Sequence, residues 1–168
     1  MTTEKDIYAL LGELSVKFAT LEFGISMILE TLIDNSSPAI GAILTANHQI
    51  KNKLDLIKKL IPFRFTANSE IATQISELIS EVDKLREDRN RFIHGNWKIN
   101  IQDNQVNDIA CYDLKLKSQQ KGYELNRCKE YKFTIEQLED CSSKVGELVC
   151  QSFLLARELG ATNLSIES

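Results

Sequence analysis

The 168-residue chain has two prolines and seven glycines, too few for an all-β protein made of many tight turns. Its four cysteines, Cys111, Cys128, Cys141 and Cys150, form no C-x-x-C pair. Only His48 and His94 could complete a ligand set, so no metal site and no cofactor is expected. Free thiols in a reduced, cytoplasmic setting are the default for such a chain. No apolar run approaches the ~20 residues of a bilayer-spanning helix. The opening, MTTEKDIYALLGEL, lacks the basic and apolar regions of a secretory signal, and no membrane partner is expected. A Gly-rich phosphate loop, an H-E-x-x-H pair and a Ser-His-Asp order are all missing.

What remains is ordinary globular composition, 43% hydrophobic and 26% charged, of a length that predicts a single domain over 1–168. The formal charge of −4 argues at first against nucleic acid as a partner. Its distribution argues the other way. Residues 1–35 carry Lys5 and Lys17 against six acids, and residues 135–168 carry Lys144 and Arg157 against six more. Each end is therefore −4 and the middle of the chain is +4. Local fields, more than net charge, steer a ligand.

Apolar residues at Ile7, Leu11, Leu14, Phe18, Leu21, Ile25, Ile28 and Leu32 step by four and three, the stripe of a long helix. Gly12 and Gly24 weaken it slightly or allow close packing. Asp34-Asn35-Ser36-Ser37-Pro38 stops it, and Pro38 can open a short helix through Ile40, Ile43 and Leu44. A helix over Ile50, Leu54, Ile57 and Ile61 is expected to end at Pro62. Another starts from a cap at Asn68 or Ser69, runs through Ile71, Ile75, Leu78, Val82 and Leu85, and ends at Gly95, a natural C′ residue. From 97 to 133 the pattern alternates. Trp97, Ile99 and Ile101, then Tyr112, Leu114 and Leu116, then Tyr131 and Phe133 read as extended pieces, with turns at Asp103-Asn104 and Gln119–Gly122. Thr134 and Gln137 form a capping-box pattern opening a last helix, over about 134–160, with a frayed tail after Gly160. The fold expected is mainly all-α, an up-down helical bundle helical over 1–95, with a small antiparallel β insertion before the last helix.

One segment breaks the pattern: Arg86-Glu87-Asp88-Arg89-Asn90-Arg91-Phe92-Ile93-His94-Gly95. The four-three rhythm passes from Leu85 to Arg89 to Phe92, so Arg89 stands where a buried aliphatic belongs. A guanidinium keeps its charge, and burying it unpaired costs several kcal/mol. Either it snorkels to an edge or it faces a partner that accepts it. His94 is on another line, four residues after Asn90 and therefore beside it on a helix. Arg89 and His94 are five apart, ~140° around a regular helix axis. They converge only if the helix loosens by Gly95 or a two-fold partner completes the site. A histidine titrates near neutrality, and beside a guanidinium it suits proton transfer at a phosphodiester. Arg86, Arg91 and Lys98 flank the pair as candidate substrate-binding cations.

Arg89 and His94 with four residues between them, and Asn90 directly after the Arg, resemble the HEPN superfamily. The resemblance implies an all-helical fold, a homodimer with both motifs lining one cleft, and a metal-independent endoribonuclease. It further implies a toxin, phage-defence or RNA-processing role, with RNA as substrate and an antitoxin or other protein as a second partner. Arg89 would bind or stabilise the phosphate. His94 would act as acid or base on the ribose 2′-hydroxyl or the leaving oxygen, and Asn90 would orient His94. Toxin members paired with nucleotidyltransferases carry Arg-x4-His-x-Tyr. Asn96 stands at the Tyr position here, so regulation through that tyrosine is not implied. The insertion over 97–133 is larger than a minimal bundle of this kind needs.

Other readings compete. A non-catalytic dimeric module could bind nucleotide, RNA or a protein in the same cleft. A plain helical adaptor would have Arg89 paired to an acid on another helix and His94 capping its own helix. His48 reads as a surface residue in an inter-helix turn, and Trp97 as core packing. Lys51, Lys53, Lys58, Lys59 and Arg64 read as a solvated face, as do Lys115, Lys117, Lys121, Lys129 and Lys132.

Overall fold

The computed structural model describes residues 3–34, 36–66, 68–102, 105–113, 116–119, 122–125 and 129–164. The chain is mostly helical, with a three-stranded antiparallel sheet before the last helix. Helix α1 (Glu4–Ile33) leads to α2 (Pro38–Thr45), α3 (Ile50–Arg64) and α4 (Glu70–His94). Strands β1 (Asn96–Gln102), β2 (Gln105–Asp113), β3 (Leu116–Gln119), β4 (Gly122–Leu125) and β5 (Lys129–Phe133) follow, then α5 (Ile135–Leu164).

The heptad stripe of α1 is buried throughout, from Ile7 to Leu32. Its start is closed reciprocally. Thr3 donates from its N–H and hydroxyl to the Asp6 carboxylate (both 2.7 Å), and the Asp6 N–H donates to Thr3 Oγ1 (3.4 Å). Past its end, the Asp34 carboxylate accepts from the N–H groups of Ser36 and Ser37 and from the Ser36 hydroxyl, a local turn that competes with helix. Gly24 is there for close approach, because a Cβ would meet the Ser152 side chain of α5, whereas one on Gly12 would meet nothing within 4 Å.

Helix α2 begins with Pro38 at its first position but faces opposite to what its composition suggests. Gly41 and Thr45 are buried while Ile40, Ile43 and Leu44 are exposed. Gly41 lies so close to Glu30 of α1 that a Cβ would come within 2.8 Å of its Cα. Helix α3 does not stop at Pro62 but continues to Arg64. Proline forfeits one helical bond, and this last turn is still closed by Phe65 N–H to the Ile61 carbonyl (3.0 Å). In α4 the start lies at Ser69, whose hydroxyl accepts the Ala72 N–H at 3.4 Å.

The sheet has the order β1-β2-β5, and β3 pairs with β4 as a separate hairpin. Trp97, Cys111 and Tyr131 share one row of the register, and Ile99, Ile109 and Phe133 another. The register shifts between Asn100 and Ile101. Of the second extended piece, β2 runs to Asp113 and β3 starts at Leu116. Leu114, and the turns at Asp103-Asn104 and Gln120-Lys121, lie outside the described residues. The capping box of α5 forms with both bonds, Thr134 N–H to Gln137 Oε1 (2.9 Å) and Gln137 N–H to Thr134 Oγ1 (3.2 Å). Helix α5 runs past Gly160 to Leu164.

By compactness the chain divides into two units. The first comprises Met1–Val16 and Glu87–Lys144, the second Lys17–Arg86 and Val145–Ser168. The sheet, the α4 end and the buried residues Ile7, Leu14, Phe92, Ile109 and Leu138 belong to the first unit. Leu54, Ile57, Ile75, Leu78 and Val145 are among the fully buried side chains of the second. Among the described residues no helix is long and apolar enough to cross a membrane.

Candidate functional site

Of the residues singled out in the sequence, Arg86, Arg89, Asn90, Arg91 and His94 occupy the last turns of α4 and Lys98 lies on β1. Arg86 donates its Nε–H to Asp83 at 3.2 Å, and Asp83 also accepts Lys58 at 3.3 Å. Partial burial pushes the Asp83 carboxyl up, but the hydrogen bonds from Lys58 and Arg86 outweigh this and hold it below its ordinary value. Arg86 is thus engaged inside its own unit.

Arg89 is half-buried on the line between Leu85 and Phe92. Its Nη1 donates to Asn90 Oδ1 at 3.2 Å. The Asn90 amide oxygen therefore holds one end of the guanidinium. Arg91 lies within 2.5 Å of Asp88 and 3.3 Å of Glu87, and its guanidinium stacks 4.2 Å over the Tyr131 ring of β5. Burial pulls the basicity of Arg91 down, but the Tyr131 phenol, Asp88 and Glu87 more than offset it, so its pKa is raised.

His94 is the last residue of α4 and is exposed. The helix does not loosen before it: the Gly95 N–H donates to the Arg91 carbonyl at 2.8 Å, which keeps the regular pitch. Arg89 and His94 of one chain therefore stay ~140° apart about the axis, while Asn90 and His94 share a face. Gly95 is not in the left-handed conformation of a usual C′ glycine. It is glycine because a Cβ would overlap Cys111 Sγ and the Arg91 carbonyl.

Lys98 is exposed on β1, in a row with Ala110 and Lys132, on the sheet face opposite to Trp97 because successive side chains alternate. Lys132 sits 3.8 Å from Asp108. Trp97 is half-buried, and its ring lies parallel to that of Phe92, centroids 5.8 Å apart. Its Nε1–H donates to the Phe92 carbonyl (3.3 Å), and the buried Cys111 thiol donates to the Arg91 carbonyl (3.5 Å).

Two lysine groups differ from a simple solvated face. Lys53 is buried, with Nζ donating to Ser26 Oγ (2.7 Å) and lying 4.0 Å from Glu22. Arg64 donates to the Leu32 and Ile33 carbonyls at the end of α1. Lys51 and Lys59 are exposed as expected. Lys129 lies 4.9 Å over the Tyr131 ring, and Lys115 and Lys121 fall outside the described residues, as do the side-chain surroundings of Lys117. His48 is half-buried, with a buried Nδ1 that has no hydrogen-bond partner among the described residues. Sequence periodicity could not signal Lys53, Arg64 or the Cys111 contact, because each depends on an element distant in the chain.

Within one chain, then, the last turns of α4 present a guanidinium fixed by an amide and an imidazole open to solvent, on different faces. The first can hold a phosphate and the second can carry a proton. Compared with family models, curated proteins and solved structures, the chain matches none of them.

Proposed function

We propose that the chain is a metal-independent endoribonuclease of the HEPN type, an up-down helical bundle that acts as a homodimer in the cytoplasm. A toxin or phage-defence role, held in check by an antitoxin or other protein, follows from the same resemblance. One observation carries the reading: a regular helix holds Arg89 and His94 ~140° apart, so a shared site needs a second copy to bring the two groups together across a two-fold axis. A composite cleft built from two copies of α4 supplies what one copy lacks.

In that cleft the attack is internal. His94 takes the proton of the ribose 2′-hydroxyl as its oxygen bonds to phosphorus, or returns a proton to the departing 5′-oxygen. The products are a 2′,3′-cyclic phosphate and a 5′-hydroxyl. Arg89 stabilises the charge that builds on the phosphoryl oxygens, and Asn90 keeps its guanidinium oriented. DNA lacks the nucleophile and is not cut.

The test is RNA cleavage in EDTA by wild type, Arg89→Ala and His94→Ala. Each variant should lose about 10²-fold or more in rate while keeping its fold. Mixing the two inactive variants, unfolded and refolded together, should restore about a quarter of the activity, because half the dimers are mixed and each regains one intact pairing. No recovery on mixing would defeat the composite site. A non-catalytic module binding nucleotide, RNA or protein is favoured by one observation, that Arg86 and Arg91 are both engaged with acids of their own chain. That reading predicts equal inactivity of all three proteins on diverse RNAs.

A further inference from the structure

The β insertion lies against the last turn of α4 in a specific way. The Phe92 carbonyl lies beyond the last helical bond, where a helix leaves acceptors unsatisfied, and Trp97 of β1 donates its Nε1–H to it at 3.3 Å. The Arg91 carbonyl already accepts the Gly95 N–H and takes the Cys111 thiol of β2 on its second lone pair. From β5, Tyr131 stacks on the Arg91 guanidinium and Phe133 packs against the Phe92 ring, centroids 5.5 Å apart. Each strand of the sheet thus grips a different group of one helical turn. The fit is tight, since Cys111 occupies the space a Gly95 side chain would fill.

We propose that Trp97 and Cys111 are positioning residues for His94, and that the sheet is a clamp on the end of the site helix. The inference rests on the ribonuclease reading for its purpose, but not for its physical content. The His94 ring makes no hydrogen bond among the described residues, so its bearing is set by the backbone from which it projects. That backbone would fray as helix ends do, through opening of its last hydrogen bonds. Side chains that hold two of its carbonyls suppress the fraying and keep the imidazole on a fixed bearing. Proximity catalysis is sensitive to such placement.

The test uses Trp97→Phe, which keeps the aromatic stack and deletes the donor, together with Cys111→Ala and its conservative counterpart Cys111→Ser. Hydrogen exchange by NMR reads the Ile93, His94 and Gly95 amides, with amides in the body of α4 as the control. In Trp97→Phe/Cys111→Ala these three should exchange about tenfold faster than in wild type, with the control amides unchanged. On RNA, kcat should fall about tenfold with KM within about twofold, and Cys111→Ser should recover most of the loss seen in Cys111→Ala. Unchanged exchange overturns the clamp, and so does faster exchange with undiminished kcat in an active enzyme. If the double variant fails to fold, Cys111→Ala alone is read by the same criteria. If wild type cleaves no RNA, the ribonuclease reading fails and the exchange rates alone decide the clamp.

Discussion

Arg89 sits on the line that Leu85 and Phe92 continue, half-buried and tied to Asn90. A charge in a stripe of aliphatics carries a desolvation cost that its contacts must offset. Arg89→Leu should abolish RNA cleavage while leaving the free energy of unfolding within about 1 kcal/mol of wild type. Urea denaturation read beside the cleavage assay checks it. A clear loss of stability would mean that the guanidinium is a structural group. Cys141 gives a second prediction. Burial, aided by the charge of Asp88, pushes its thiol from an ordinary value of 9.0 up to about 11. The folded state thus keeps its proton where the unfolded chain releases it. Stability that this thiol contributes is present below pH 9 and is lost as pH rises toward about 11. Denaturation midpoints should fall across that window, and fall less in Cys141→Ala. Iodoacetamide at pH 8 should modify the exposed Cys150 well before Cys141.

Elements close their ends by two routes, one local and one distant. At α5 the closure is local: Thr134 and Gln137 exchange two hydrogen bonds across three residues. Thr134→Ala should cost about 1 kcal/mol and Thr134→Asp much less, as measured by chemical denaturation. At α1 the closure is distant, with Arg64 of α3 reaching the Leu32 and Ile33 carbonyls. Arg64→Ala should cost about 1–2 kcal/mol, and Arg64→Lys should recover only part because an ammonium cannot reproduce the fork. The same division explains what the sequence revealed. The α1 stripe, the Pro38 start and the α5 capping box were legible because each depends on residues within a turn or a heptad. Misread were the end of α3, where Pro62 lost one bond without ending the helix, and the meaning of Gly95, fixed by a cysteine sixteen residues away on β2. In α2 the apolar residues announced a helix, but its buried side was selected by the small residues that fit against Glu30. In the candidate site, Arg89 was legible as a broken stripe and His94 as a terminal residue. The contact of Asn90 with Arg89 joins sequence neighbours, a pairing that the four-residue spacing to His94 did not point to.

Over the whole molecule, the basic middle of the chain raises the question of how RNA could be held by a protein of net charge −4. The excess cations are not pooled. Lys53, Lys58, Arg86, Arg91 and Lys132 each lie within 4.0 Å of an acid of their own unit, and Arg64 is spent on carbonyls. A composite cleft built on Arg89 and Lys98 from each of two chains would draw on four phosphate contacts. Each phosphate neutralised on a single strand contributes a slope of about −0.7 to log K against log salt, so four contacts predict about −3. Were the basic middle to act as one patch, eight or more contacts would give a slope steeper than about −5. Fluorescence anisotropy of a labelled single-stranded RNA on His94→Ala, which leaves the substrate intact, measures this between 50 and 200 mM salt, taken as roughly the physiological bracket. Lys98→Ala should flatten the slope by about 1.4, two contacts' worth in a dimer, and weaken binding alike for all sequences. An unchanged slope would remove Lys98 from the cleft. A slope near −5 in His94→Ala without the Lys98 change would place the interface on the lysines of α3 and the sheet, and would separate RNA binding from the Arg89 and His94 pair.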